Sequence, residues 1–118
     1  MEYMSPLSRL ILIEEHAKEY HGIQYKYFKH GFISYKFESE NECLWYDIFI
    51  TPEKRRKGLA FEYAQEFQRE LSEMGIDYLY GMVQKNYKGA EGSKAALSYF
   101  GMTKYTEDHD TIYYIKEI

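Results

Sequence analysis

An α/β fold of the α+β type, with elements in the order α-β-β-β-α-β-α-β-β, is what this sequence predicts, and three observations predict it. Residues 57–74 carry apolar side chains at Ala60, Tyr63, Ala64, Phe67, Leu71 and Met74, a spacing of three and four that marks one helical face. Residues 43–51 are almost continuously apolar and β-favouring, as expected of a central strand covered on both faces. On either side lie pairs of short runs rich in aromatic and β-branched residues, separated by turns of hairpin length.

Taken in order, Ser5-Pro6 has the form of an N-cap followed by a proline at the first helical position. Leu7, Leu10, Ile11, Ala17 and Tyr20 then fall near one face of a helix over residues 6–19. Residues 23–28 and 32–37 form a β-hairpin about Lys29-His30-Gly31, and a polar, acidic connection over 38–42 leads into the central strand. After the helix over 57–74, Gly75 is placed as its C-terminal stop and residues 76–84 read as the next strand. A loop over 86–92 precedes Ser93, which reads as the N-cap of a short helix to Phe100, and Gly101 ends that helix. Strands over 102–106 and 111–116 close the chain around Glu107-Asp108-His109-Asp110.

The chain has 118 residues and no internal repeat or linker, so one domain over 1–118 is expected. The charged 29% is interspersed and the net charge is -4, a balance that argues against general attraction to nucleic acid or to an anionic membrane. The apolar run at residues 10–13 is too short to span a membrane and lacks the flanks of a signal peptide. A single cysteine, Cys43, forms no internal disulfide, which suits a cytoplasmic protein. His16, His21, His30 and His109 are scattered without metal-ligand spacing, so no metal is expected.

The chemistry concentrates where the central strand runs through Thr51-Pro52-Glu53-Lys54 into Arg55-Arg56-Lys57-Gly58-Leu59-Ala60 and the long helix. A helix start leaves backbone N–H groups unpaired and carries partial positive charge, so it suits a pyrophosphate, above all where a glycine clears the approach. Gly58 meets that demand, and Arg55, Arg56 and Lys57 add formal charge beside the same amides.

With Arg55, Gly58 and Ala60 at these intervals after a strand and a proline-containing turn, the sequence resembles the GNAT acyltransferases. Their signature is a glutamine or arginine, two residues, a glycine, one residue, then glycine or alanine. Asn86 after the following strand, and the run Ala95-Ala96-Leu97-Ser98-Tyr99-Phe100-Gly101-Met102, extend the likeness over about residues 23–118. The resemblance implies a mixed, mostly antiparallel sheet with helices on both faces. It also implies acetyl-CoA as co-substrate, and transfer of the acyl group to a primary amine of a small molecule or protein by direct attack. By carry-over, residues 55–60 would hold the pyrophosphate, Phe49 and Ile50 would supply backbone contacts to pantetheine, and Asn86 would lie near the same arm, with Lys85 or Lys88 close to a CoA phosphate.

The general acid and base are less sharply drawn. Where the family often places a tyrosine, four residues before the closing glycine, this chain has Leu97, which leaves Tyr99 as a displaced candidate acid. The glutamate that serves some members as base falls at Leu44, and the nearest ionisable groups are Glu42 and Tyr46, which read more readily as a turn acid and a packed aromatic. Together with the single helix ahead of the first hairpin, these departures support a second reading: a GNAT-shaped binding or inhibitory module without turnover. The closing strands leave room for pairing with a second copy as a homodimer.

Overall fold

A computed structural model describes residues 5–118. The elements follow the expected order: α1 (Pro6–His21), β1 (Ile23–Phe28), β2 (Gly31–Ser39), β3 (Glu42–Ile50), α2 (Leu59–Glu73), β4 (Tyr78–Gln84), α3 (Ala90–Tyr99), β5 (Thr103–Glu107) and β6 (Thr111–Glu117). The strands form one sheet in the order β1-β2-β3-β4-β6-β5, antiparallel everywhere except between β3 and β4.

Differences in element ends trace to glycine and capping chemistry. Gly58 has φ 80°, so the expected helical start at Lys57 gives way to one at Leu59. Gly75 has φ 90°, and the Ile76 N–H turns back to the Leu71 carbonyl, which delays β4 from residue 76 to Tyr78. Ser5 caps α1, its hydroxyl accepting from the Ser8 N–H at 3.2 Å. Ser93, in contrast, is not a cap. The last helix begins at Ala90, whose methyl is buried in the core, and the Ser93 N–H already donates within the helix to the Gly89 carbonyl.

The core lies on one face of the sheet. Ala64, Phe67 and Leu71 of α2 meet Ile33, Cys43 and Leu79 from the strands, joined by Phe100, Met102, Ile112 and Tyr114. Burying a side chain the size of Phe67 or Leu71 stabilises by about 1.5–3 kcal/mol, so tertiary contact rather than propensity holds α2 in place. At the edge of the sheet, Phe28 stacks on Tyr63 at 4.0 Å and Lys26 pairs with Glu70 at 2.6 Å, which carries α2 across to β1.

Side chains alternate along a strand, so Tyr27 points away from α2, and it meets Glu14 of α1 on the opposite face. Helices therefore occupy both faces, but α1 packs mainly on β1, and its expected apolar face is not covered: Leu7, Leu10, Ile11 and Tyr20 are exposed and only Ala17 is buried. The run Leu10 to Ile13 points around the helix rather than along one stripe, and a sheet edge can cover only part of it. Elsewhere on this face Tyr105 packs against both Tyr80 and Tyr113. Among the described residues no helix is long and apolar enough to cross a membrane.

Candidate active site

β3 does not run covered on both faces as its composition suggests. Its parallel pairing with β4 lasts only from Glu42↔Tyr78 to Leu44↔Tyr80, after which the two strands part. An extra residue in β3 marks the parting: Ser34 pairs with Asp47 and Tyr35 with Trp45, leaving Tyr46 bulged out of the ladder. The strand is therefore not regular here, and odd-numbered Trp45 and even-numbered Ile48 both pack toward the core. Tyr46 and Asp47 are exposed.

The gap holds an apolar cleft of about 340 Å³, walled by Trp45 to Ile48 of β3, Gly81 and Met82 of β4, Phe61 and Ala64 of α2, and Leu97, Tyr99 and Phe100 beside α3. Asp47, Ile48, Gly58 and Ala60 also line a second, more polar hollow of about 520 Å³, which makes the two one channel. Its outer end is bounded by Lys54, Arg55, Arg56, Leu59 and Tyr87.

At that mouth the chain is shaped by a single 3-10 turn at Pro52–Lys54, then by Arg56 with φ 62° and Gly58 with φ 80°. Arginine in the left-handed region costs on the order of 1–3 kcal/mol, and backbone that turns this way can gather N–H groups into an anion-binding hollow. No side chain caps α2, and the Glu62 N–H is the first to bond back, to the Gly58 carbonyl at 3.2 Å. The amides of Leu59, Ala60 and Phe61 thus have no backbone partner among the described residues. A Cβ built on Gly58 meets nothing within 4 Å, so the space before these amides is open.

The sequence-predicted residues divide between those brought to the channel and those left outside it. Phe49, Ile50, Arg55, Arg56, Gly58, Leu59 and Ala60 line the hollow, whereas Lys57 does not and Lys54 does. Arg55 is committed in part to the fold: its Nε donates to the Ile50 carbonyl at 2.8 Å and its guanidinium lies 5.4 Å from the centre of the Phe49 ring. The backbone of Phe49 belongs to the β2 ladder, since a Cβ on Gly31 would overlap the Phe49 carbonyl oxygen and the Thr51 N–H donates to the His30 carbonyl. By the alternation of an antiparallel ladder, the groups turned to the gap are those of Ile48 and Ile50. The Ile48 N–H donates to Asp47 Oδ1 at 2.8 Å rather than to a neighbouring strand.

Tyr46 and Tyr99 both reach the inner cleft, Tyr99 with 78% of its surface exposed and its ring against Phe61. Glu42 is not brought there. It sits at the closed end of the β3–β4 pairing, where its carboxylate accepts from Tyr80 Oη at 2.6 Å and from Ser39 Oγ at 2.8 Å. Those bonds, Tyr80 first, hold its pKa below the ordinary range, and the same bond lifts the Tyr80 phenol to about 12. Asn86 is exposed and outside the channel, while its neighbour Tyr87, which no motif marks, enters it. Lys85 is engaged with Glu107 at 2.8 Å. Among the described residues no group of three His, Cys, Asp or Glu is placed to hold a metal.

No family model and no curated protein sequence matches the chain. Solved structures match it in fold. An acetyltransferase from Thermus thermophilus aligns with a TM-score of 0.65 and 16% identity over 75% of this chain, which spans 56% of that protein. A Desulfovibrio desulfuricans protein described as a GNAT-family acetyltransferase gives 0.72 and 15% over 99% of this chain and 85% of its own. The PaiA N-acetyltransferase of Thermoplasma acidophilum, solved with coenzyme A, gives 0.72 and 15% over 93% and 70%.

Proposed function

We propose, from a chain that has the GNAT fold, that the protein is an acyl-CoA-dependent N-acyltransferase. Acetyl-CoA is its donor and a primary amine of a small molecule or protein its acceptor. The observation that carries this reading is the channel itself: β3 and β4 part after three residue pairs, and the uncapped amides of α2 open at its mouth. These residues fit the group. A diphosphate would take the amides of Leu59, Ala60 and Phe61 and the charges of Arg55 and Arg56, with Gly58 leaving its approach clear. The apolar cleft beyond would take the pantetheine arm, along the Ile48 carbonyl and the Ile50 N–H, since Asp47 already holds the Ile48 N–H and Arg55 the Ile50 carbonyl.

A CoA thioester supplies an acyl carbon whose bond to sulfur breaks as the amine nitrogen bonds to it, and the amine gives up a proton while the thiol leaves. The chain's part is to orient the thioester between β3 and β4, to offer N–H groups to the carbonyl oxygen and to exclude water with Trp45, Phe61 and Phe100. Tyr46 and Tyr99 are the phenols that line the cleft, and on this reading one of them passes a proton to the departing sulfur. Glu42, at the closed end of the seam, has no such part.

Calorimetry with acetyl-CoA, followed by thiol release across a panel of amines, tests the proposal. Binding with turnover is expected, and no binding would sink it. One observation favours a second reading: the cleft wall at the position of the family's tyrosine is Leu97, an aliphatic side chain. Tight binding without thiol release across a broad panel would identify a binding module of the same shape.

A further inference from the structure

We propose that Tyr87 is the platform for the nucleotide base of the CoA donor, an inference that rests on the acyl-CoA reading above. Tyr87 comes from the turn between β4 and α3, and among the described residues it is the one bounding the mouth that comes from outside the β3–α2 segment. It therefore faces the basic turn across the entrance. Its side chain is 65% exposed, although its backbone is tied on both sides: the Tyr87 N–H donates to the Gln84 carbonyl at 3.2 Å and the Ala90 N–H donates to the Tyr87 carbonyl at 3.0 Å. Next to it, the Lys85 N–H donates to the Asp110 carbonyl at 2.8 Å. An aromatic side chain on a turn pinned in this way is presented to solvent by the backbone.

The ring lies on Gly89. A Cβ built there would come within 2.9 Å of Tyr87 Cε1, so the absence of a side chain at 89 lets the ring rest where it does. Gly89 has φ −92°, which any residue can adopt, so its need for glycine is spatial rather than conformational. A diphosphate held by the amides of α2 carries its nucleoside on the outer side, where a flat π-face beside cationic groups is suited to stack a base. Lys88, exposed and in no ion pair among the described residues, follows on the same turn and suits the ribose phosphate.

The test pairs two ligands with three variants. Calorimetry compares CoA with 4′-phosphopantetheine, which lacks the nucleotide, on the parent chain and on Tyr87→Phe, Tyr87→Ala and Gly89→Ala, each checked for an unchanged melt. The expected results are parent-like CoA binding by Tyr87→Phe and a loss of roughly five- to a hundredfold in Tyr87→Ala, the range of base stacking on an aromatic. Gly89→Ala, which displaces the ring without removing it, should fall in the same direction, and phosphopantetheine binding should stay within about twofold throughout. Tyr87→Ala binding CoA as the parent does, or losing both ligands equally, would overturn the proposal while leaving the acyl-CoA reading intact. A parent chain that binds neither compound would remove both.

Discussion

Replacing Gly58 with glutamate probes the mouth of the channel most directly. The protein itself leaves room, since a Cβ there meets nothing within 4 Å, but the backbone resists because φ is 80°. An L-residue in that region costs about 1–2 kcal/mol, which lowers the melting temperature of a chain this size by roughly 4–10 °C. The binding term is separate and larger. A carboxylate about 5 Å from one phosphate charge, at an effective dielectric near 20, is repelled by about 3 kcal/mol, on the order of a hundredfold in Kd. Gly58→Asn is the control, because asparagine tolerates the left-handed conformation and adds bulk without charge. Calorimetry with CoA at low and high salt should show Gly58→Glu well below Gly58→Asn, with the gap narrowing as salt screens the repulsion. A folded Gly58→Glu chain that binds CoA as tightly as its parent would refute the assignment of the pyrophosphate to these amides.

The remaining predictions concern what surrounds that site. Arg55→Met, which keeps an apolar stem but loses the bond to the Ile50 carbonyl, should cost about 1 kcal/mol in urea unfolding and weaken CoA binding with it; unchanged stability would mean the bond is idle. Cys43 is fully buried and burial pushes its thiol up to about 12, so alkylation at neutral pH should occur only on unfolding, and rapid labelling of the native chain would contradict the packing. The bonds from Tyr80 and Ser39 depress the pKa of Glu42, so they add stability above the ordinary glutamate range that is lost as pH falls through the lower folded value. Glu42→Gln should flatten that acid limb in pH-dependent melting, return the Tyr80 phenol toward its ordinary value and leave turnover unchanged. Loss of turnover would put Glu42 back among the catalytic groups.

What could be read from the sequence was what is locally encoded. The period of Ala64, Phe67 and Leu71 marks a buried helical face because burial and periodicity are the same fact along α2. The glycines at 75 and 101 punctuate elements because their left-handed φ values exclude most other residues. The basic turn was legible for the same reason, its spacing being set by the short path from strand to helix. The bulge at Tyr46 and the parting of β3 from β4 were not, since both depend on which partner a strand finds. Apolar β3 looked doubly covered because a strand facing an open apolar cleft and one facing protein have similar compositions. The same limit explains α1, whose apolar run says that it binds something apolar but not how much of it the sheet reaches. Asn86 and Tyr87 differ by one position, and only the path of the turn decides which faces the channel.

The brief seam between β3 and β4 makes the sheet two three-stranded blocks, β1-β2-β3 and β4-β6-β5, clasped at one end and spanned by α2. The ladders within each block all run longer than the three-pair seam that joins them. On the proposed reading, a donor molecule lying in the opening would act as mortar along that seam, so occupancy and rigidity would rise together. Thermal resistance should therefore climb with the logarithm of CoA concentration, and amides bordering the opening should gain protection from exchange.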